Sequence, residues 1–233
     1  MKPASVVVVV LSLVLAGCVK QEAEVPLSLL VHEYDFSDSD HGWIADFAEL
    51  PADEGKADEF QVNAAYTDDL SEESVISRRS YMLSGNNISG ELFMYVKRKV
   101  TGLKANTNYT VTFNVDLASQ LDMRQASGSV FLKAGATHTE PKSVIEDGYY
   151  RLNIDKGEYN QSGEDMILLG DIFEGMKANN YLLLNLNNTM ANSRYVARTN
   201  NHGDIWLVVG IDSNARATTT VFLRKIQVVF SAS

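Results

Sequence analysis

Within residues 106–119, apolar and polar side chains alternate from Tyr109 to Leu117. The apolar positions share one parity: Tyr109, Val111, Phe113, Val115 and Leu117. Successive side chains of a strand point to opposite faces, so this pattern predicts a strand with one buried face and one wet face. Because one strand cannot bury its apolar side alone, a second sheet must cover it. The pattern therefore favours a β-sandwich.

Other segments of strand-forming residues, separated by turn residues, run along the rest of the chain. They are residues 33–36, 59–66, 79–83, 91–100, 129–134, 149–154, 166–172, 181–186, 205–211 and 218–230. Residues 91–100 are expected to lie beside residues 106–119 or on the opposite wall of the sandwich. The apolar run 166–172 is typical of a central strand, and the parity shift in 218–230 predicts a bulge. The predicted fold class is all-β: a two-sheet antiparallel β-sandwich of the jelly-roll type.

The N-terminus has the features of an export signal. Lys2 precedes an apolar run from Val6 to Leu15, about half of what a membrane-spanning helix needs. Residues 15–18 then read Leu-Ala-Gly-Cys. We therefore predict that residues 1–17 are a signal peptide.

The Leu-Ala-Gly-Cys ending resembles the lipobox of bacterial lipoproteins, in which the cysteine is lipidated and becomes the first residue. Cys18 is the only cysteine, so no intrachain disulfide can form. The resemblance implies a membrane anchor at Cys18, with residues 18–31 as lipidated N-terminus and tether and 32–233 as a single domain. Val19 and Lys20 differ from the aspartate of an inner-membrane retention signal, which favours the outer membrane of the cell envelope. An ordinary export signal with an incidental cysteine is the alternative.

The net charge of −10 is unevenly distributed. Residues 32–73 contain fourteen acidic side chains and one basic one, Lys56, whereas residues 74–233 contain fourteen acidic and seventeen basic ones. An excess of acid argues against a nucleic-acid partner, since such proteins neutralise phosphates with Lys and Arg. Apolar residues interrupt the acidic segment, so we expect it to pack against the sandwich at intervals. It is also the surface that would meet a basic envelope protein.

Several segments of the chain resemble one family. They are 42–43 with 47–51, 83–87, 92–98 (Leu-Phe-Met-Tyr-Val-Lys-Arg), 130–136 and 150–157. The family consists of bacterial lipoproteins with a jelly-roll, galactose-binding-like domain, and the resemblance spans nearly the whole mature chain. It implies the fold but brings no activity with it. More distantly, residues 102–111 are similar to the corresponding strand of many carbohydrate-binding modules.

A structural calcium ion is a candidate cofactor. Asp38 and Asp40 place oxygen ligands at alternate positions before Gly42, with Asp212 as a third candidate ligand. The run lacks the distal glutamate of an EF-hand loop, so a solvated acidic turn is the alternative. In the family that this chain resembles, an aspartate tends to follow the aromatic pair of the last strand, and in sugar-binding jelly rolls an acid near that point often helps to hold calcium. This chain has Arg224 there, which argues against that site.

No catalytic motif is present in the sequence. Gly-x-Ser-x-Gly does not occur, and the four histidines form no zinc motif. A pair of glycosidase carboxylates would meet in space rather than in sequence, so this alternative stays open. We predict that the protein is not an enzyme.

Aromatic and amide side chains near turns favour a carbohydrate or other envelope ligand, because a flat ring can stack on a sugar while amides fix its hydroxyls. The candidate ligand-binding residues are Trp43, Tyr159, Asn160 and Tyr195. Core packing is the alternative for Trp43, and Trp206 is expected in the core because apolar residues surround it. A structural or protein-interaction lipoprotein without a small-molecule ligand is the second functional hypothesis.

Overall fold

The computed structural model describes residues 29–67, 79–121, 128–172, 182–189 and 194–232. In chain order its elements are β1 (Leu29–Asp35), β2 (Ile44–Ala48), β3 (Leu50–Pro51), α1 (Glu54–Ala57), a 3-10 turn (Asp58–Phe60), β4 (Asn63–Thr67), β5 (Ser80–Asn86), β6 (Leu92–Val100), β7 (Asn108–Leu121), β8 (Val130–Thr137), β9 (Ser143–Glu146), β10 (Tyr149–Leu152), β11 (Met166–Asp171), β12 (Leu182–Asn187), β13 (Val196–Arg198), β14 (Ile205–Ser213) and β15 (Thr218–Ala232). Within these ranges, neither helix is long and apolar enough to cross a membrane.

Two antiparallel sheets form a sandwich, which confirms the predicted fold class. The larger sheet has the order β12-β7-β15-β5-β4, with β1 also paired to β15 and β13 also paired to β7. The second sheet has the order β11-β8-β14-β6-β2. Strands β6 and β7 are therefore on opposite walls. A small third sheet, β3-β10-β9, contacts β2 at the edge of the second sheet.

The inner faces of the two large sheets share one apolar core. The predicted parity of β7 is confirmed, since Tyr109, Val111, Phe113, Val115 and Leu117 are all buried. The five-stranded sheet faces them with Leu92, Met94 and Val96 of β6 and Leu207, Val209 and Ile211 of β14. Removing this apolar surface from water is the main force that closes the sandwich.

The acidic segment packs on the sandwich through its aromatic residues, as predicted, within residues 32–67. Tyr34, Phe36, Trp43 and Phe60 are at most 6% exposed, while Ile44 is 56% exposed. The predicted Asp38–Asp40 region is a turn between β1 and β2, in which the Asp40 carboxylate accepts a hydrogen bond from the Gly42 amide at 2.9 Å.

The predicted bulge in the last strand is confirmed. The register of β15 against β7 shifts between Leu223 and Lys225, and the Arg224 carbonyl accepts a hydrogen bond from the Phe36 amide at 2.9 Å. Before the bulge β15 pairs with β5, and after it β15 pairs with β1. The long strand β15 thus pairs with β5 and β1 one after the other along the same edge.

Three sequence-based predictions about the strands are wrong. Strand β11 is an edge strand rather than a central one: it is apolar because Ile167 packs into the main core while Met166 packs on the opposite face. Strand β1 begins at Leu29, which pairs with Ser231, so residues 29–31 belong to the sheet and not to the tether. Strand β5 does not end with the predicted segment 79–83, because Ser84 to Asn86 also pair with β15.

The outer face of the five-stranded sheet is partly covered by residues 138–165, which connect β8 to β11. A second apolar cluster lies there and includes Phe93, Tyr95, Ile154, Met166 and Val208. The covering chain lies very close to the sheet, because a Cβ added to Gly135 would be 2.1 Å from the Asp165 carbonyl oxygen. The uncovered end of this face forms the site described below.

Replacing Phe113 by Ala is expected to lower the free energy of unfolding by about 3–5 kcal/mol, because the ring is fully buried in the core. Urea denaturation followed by circular dichroism measures it. Val196→Ala, at a side chain that is 43% exposed, is the control and is expected to change stability by less than about 0.5 kcal/mol. Equal effects of the two substitutions would contradict this description of the core.

Candidate functional site

A cleft of about 480 Å³ opens at one end of the outer face of the five-stranded sheet. Seven of its ten lining residues are charged. The lining consists of Glu49, Glu91, Arg151, Ile154, Asp155, Lys156, Gly157, Glu158, Tyr159 and Asp212. We call this the loop cleft, because connections between strands supply every lining residue except Asp212 and Arg151. Its volume is within the range of small-ligand sites.

The floor of the loop cleft is built on β6 and β14. Asp212 is paired in register with Phe93, and both side chains point away from the main core. The neighbouring Gly210 lets the aromatic ring lie flat on the sheet, because a Cβ there would be 2.2 Å from Phe93 Cζ. The Lys156 ammonium lies 5.5 Å from the centre of the Phe93 ring, a cation–π contact.

The Asp212 carboxylate is neutralised by two ammonium groups. Its Oδ2 lies 3.0 Å from Lys133 Nζ and 2.9 Å from Lys156 Nζ, and the side chain is 2% exposed. Burial lowers the pKa of Lys133, and the Asp212 carboxylate opposes that shift. A carboxylate so placed accepts two charge-assisted hydrogen bonds and is held rigidly.

Lys133 also attaches the loop to the sheet. Its ammonium donates hydrogen bonds to the backbone carbonyls of Lys156 at 2.9 Å, Gly157 at 3.3 Å and Glu158 at 2.5 Å. The side chain is 0% exposed. Three carbonyls and a carboxylate around one buried cation fix the position of residues 156–158, which form one wall of the cleft.

The same loop is closed on itself by Asp155. Its two carboxylate oxygens accept hydrogen bonds from the Gly157 amide at 2.9 Å and the Glu164 amide at 2.8 Å. The amides of Glu164 and Gly157 lower the pKa of Asp155. The loop ends meet so closely that a Cβ on Gly157 would be 2.5 Å from the Gly163 nitrogen.

The opposite wall is organised around Arg151. Its guanidinium forms an ion pair with Glu49, lies 3.8 Å from Glu91 and stacks at 4.8 Å on the ring of Tyr149. The hydrogen bond that Arg151 donates to the Glu49 carboxylate raises the pKa of Arg151. Tyr149 is 39% exposed and lies on the same side of β10 as Arg151; it does not itself line the cleft, but it supports the guanidinium that does.

Glu49 has an unusual backbone conformation for this role. Its φ angle is +62°, and its amide donates a hydrogen bond to the Tyr150 carbonyl at 2.7 Å. Positive φ is uncommon for residues other than Gly, Asn and Asp, and it costs free energy. The turn between β2 and β3 thereby presents the Glu49 carboxylate to Arg151.

Of the four predicted ligand-binding residues, Tyr159 lines the loop cleft. It is half-buried, and its hydroxyl donates a hydrogen bond to the Gly90 carbonyl at 3.2 Å. The next residue, Asn160, is exposed and does not line the cleft.

The structure does not bring Trp43 and Tyr195 to the cleft. Trp43 is 3% exposed and meets Tyr34 edge to face at 5.4 Å, so neither face of its indole is open for stacking. Tyr195 is 5% exposed, and its hydroxyl bonds to the backbone of Ala136 and Asp165. Both are core residues, and a role in stacking on a ligand is wrong for them.

The prediction for Trp206 is also wrong. It lies on the outer face of β14 and is half-buried, with Lys97 Nζ 5.8 Å from its ring centre. The position of Trp206 could not be read from the apolar run 205–209. Val208, on the same face of β14, is also apolar, but it is buried under the covering segment rather than in the main core.

The predicted calcium ligands are not assembled into a site. Among the described residues, no group of three or more His, Cys, Asp or Glu side chains is arranged to hold a metal. Asp38 and Asp40 are exposed turn residues, while the Asp212 carboxylate is occupied by two lysines.

Sequence reasoning missed Arg151, Glu49, Tyr149 and Lys156 as a group. A usable signal was the shared parity of Tyr149 and Arg151 in residues 149–152, which places a ring beside a cation on one face of a strand. Their meeting with Glu49 depends on the pairing of Tyr149 with Pro51, a contact between residues about a hundred positions apart.

No protein-family model and no curated protein matches the chain. Solved structures do match it. The carbohydrate-binding module TmCBM27, which recognises mannan, aligns over 87% of this chain and 98% of its own, at 9% identity and a TM-score of 0.40. The CBM22-1 xylan-binding domain of Paenibacillus barcinonensis Xyn10C aligns over 87% of this chain and 94% of its own, at 10% identity and a TM-score of 0.38.

The enzymatically active domain of bacteriophage CBA120 tailspike protein 4 also matches, at 9% identity and a TM-score of 0.35. That alignment covers 79% of this chain but spans only 19% of the tailspike chain. Carbohydrate-binding modules, the class to which residues 102–111 are similar, are thus among the structures that match. TM-scores below 0.5 assign no role to any residue of this chain.

Replacing Lys133 by Met is expected to lower the free energy of unfolding by about 3 kcal/mol, because it removes the buried charge that holds Asp212 and three carbonyls. It should also speed hydrogen exchange at the amides of residues 157–164. Lys156→Met is the matched control: its ammonium contacts the same carboxylate but only one carbonyl, at 3.4 Å, so a smaller loss is expected. A loss for Lys156→Met as large as that for Lys133→Met would contradict the role given to Lys133.

Proposed function

We propose that this protein is a lipid-anchored lipoprotein of the bacterial outer membrane, without catalytic activity, whose β-sandwich binds a carbohydrate in the loop cleft. The observation that carries the proposal is that the cleft lining combines an aromatic ring, Tyr159, with the ion-paired Arg151, whose guanidinium stacks on the exposed ring of Tyr149 beside the cleft. A sugar presents an apolar face to an aromatic ring and hydroxyls to charged groups. The cleft offers both kinds of contact within about 480 Å³.

Rigidity of the polar groups supports binding. Glu49 and Arg151 hold each other, and the loop wall is fixed by Lys133. Groups that are already ordered lose little conformational entropy when a ligand arrives, so more of the contact energy appears as affinity. Glu91 is 53% exposed and can turn its carboxylate to a sugar hydroxyl without breaking a close ion pair.

The states of the acids support the non-catalytic part of the proposal. A glycosidase needs one carboxyl group with a raised pKa to act as a general acid. In the loop cleft Asp212 is paired with two lysines and Glu49 with Arg151, and the pKa of Asp155 is lowered. Asp155, whose pKa is lowered chiefly by backbone amides, does not act as a proton donor, and the Asp212 and Glu49 carboxylates are already engaged in ion pairs.

A second candidate is a structural or protein-interaction lipoprotein. It is favoured by the β9–β10 hairpin, where Val144 is 41% and Ile145 is 66% exposed on an edge strand of the small sheet. Exposed apolar residues on an unpaired edge are suited to contact with another protein. If binding of a partner protein is lost at high salt, the acidic segment rather than this hairpin is the contact surface.

Tyr149→Ala and Arg151→Gln are each expected to weaken glycan binding about tenfold or more, because one removes a stacking surface and the other a charged hydrogen-bond donor. A glycan array on the full chain in detergent identifies the sugar, and isothermal titration measures the affinity. Arg198→Gln, at an exposed residue of β13 on the other sheet, is the control and should bind as the wild type does. Failure to bind any envelope glycan, peptidoglycan fragments included, would refute the carbohydrate assignment.

Replacing Cys18 by Ala is expected to abolish lipidation and cleavage after residue 17, because the thiol is the group that is acylated. Intact-mass measurement of the protein from bacterial membranes tests this. The wild type should begin at Cys18 and carry acyl chains, whereas the variant should retain residues 1–17. A wild-type chain of full length without acyl mass would contradict the anchor, whatever the cleft binds. Cys18 lies outside the described residues.

A further inference from the structure

A second cavity, of about 240 Å³, lies on the outer face of the seven-stranded sheet, on the side of the sandwich opposite the loop cleft. Its lining residues are Asp35, Ser37, Arg79, Asp116, Arg224 and Lys225. We call it the basic pocket, because it brings three cationic side chains together in a chain of net charge −10. The basic pocket and the loop cleft share no lining residue.

The β-bulge in β15 creates the basic pocket. In a regular strand, Arg224 and Lys225 would point to opposite faces. The register shift between Leu223 and Lys225 leaves Arg224 as the extra residue, and both side chains line the same cavity. Lys225 is paired in register with Asp116 on one side and Asp35 on the other, which places the pocket in the middle of the sheet. Bulges often re-aim a side chain in this way at functional sites.

The charges around the pocket are unequally satisfied. Lys225 forms an ion pair with Glu33 at 3.0 Å, Asp116 accepts a hydrogen bond from Asn185 at 2.5 Å, and Asp35 accepts one from the Ser37 amide at 2.9 Å. By contrast, the guanidinium groups of Arg79 and Arg224 form no ion pair with any carboxylate in the described part of the chain. Two cations are therefore available to a ligand.

We propose that the basic pocket binds an oxyanion, a phosphate or carboxylate group, between the guanidinium groups of Arg79 and Arg224. A guanidinium donates two parallel hydrogen bonds to such a group, which makes arginine the preferred side chain for it. The volume is below that of most drug-sized ligand sites, so the pocket accommodates one charged group or a single acidic sugar. The two aspartates oppose anion binding, and a hydroxyl-bearing anion would use them as hydrogen-bond acceptors.

Isothermal titration of the full chain in detergent tests the proposal with inorganic phosphate and with glucuronate, each against glucose as the neutral counterpart. Phosphate, glucuronate or both should bind, and glucose should not bind at this pocket. Comparison of the two anions identifies which oxyanion is preferred. Arg224→Gln and Arg79→Gln should each weaken anion binding about tenfold. Asp116→Asn should strengthen it several-fold, because it removes an opposing charge.

Arg198→Gln is the matched control, because Arg198 is exposed on β13 and does not line the pocket. Arg79 is exposed too, so Arg79→Gln remains informative should Arg224→Gln fail to fold. The proposal is overturned if neither anion binds at about 10 mM, or if Arg198→Gln weakens binding as much as the pocket variants do. Because inorganic phosphate is not a sugar, its binding reports on this pocket independently of glycan binding in the loop cleft.

Discussion

The buried ammonium group of Lys133 holds together the parts from which the loop cleft is made. It joins a strand of the five-stranded sheet to three carbonyls of one loop and to the carboxylate of Asp212 on the neighbouring strand. An ion pair taken out of water adds little net stability, since desolvation opposes the attraction. Its effect here is on geometry: the loop can take few other positions without leaving a charge unpaired in the interior. The same arrangement balances the charge of the Asp212 carboxylate from within the chain.

Departures from regular β-structure occur at both cavities. Glu49 reaches Arg151 through a turn in the left-handed region, Phe93 lies flat because Gly210 has no side chain, and Arg224 enters the basic pocket through a bulge. Regular strands alternate their side chains and place like with like on each face, which builds a core. Bringing unlike groups to one point requires a break in that alternation. Such irregular backbone costs free energy, and burial of the apolar interior between the sheets offsets that cost.

The fold was more predictable from sequence than the cleft was. The alternation in β7 indicates a strand with one buried face and hence a second sheet, since burial follows parity directly. The position of β11 at an edge and the opposite fates of Trp43 and Trp206 were not predictable from the same signal, because an apolar neighbourhood does not tell which layer covers a residue. Tyr159 could be named from its place in a polar loop. Its partners Arg151 and Glu49 could not, because their contact depends on strand pairing across about a hundred residues.

The walls of the cleft and the interior of the sandwich are built from different parts of the chain. Glu49, Glu91 and residues 154–159 all belong to connections, while the interior of the sandwich is closed by other side chains on the opposite faces of the strands. Exchanging these connections would alter the shape and charge of the cleft without repacking the interior, since loops tolerate substitution and insertion better than strands do. Divergent relatives could therefore keep the same sandwich and differ in the residues that line the cleft. A loop in this place would still need a buried cation such as Lys133 to hold it against the sheet.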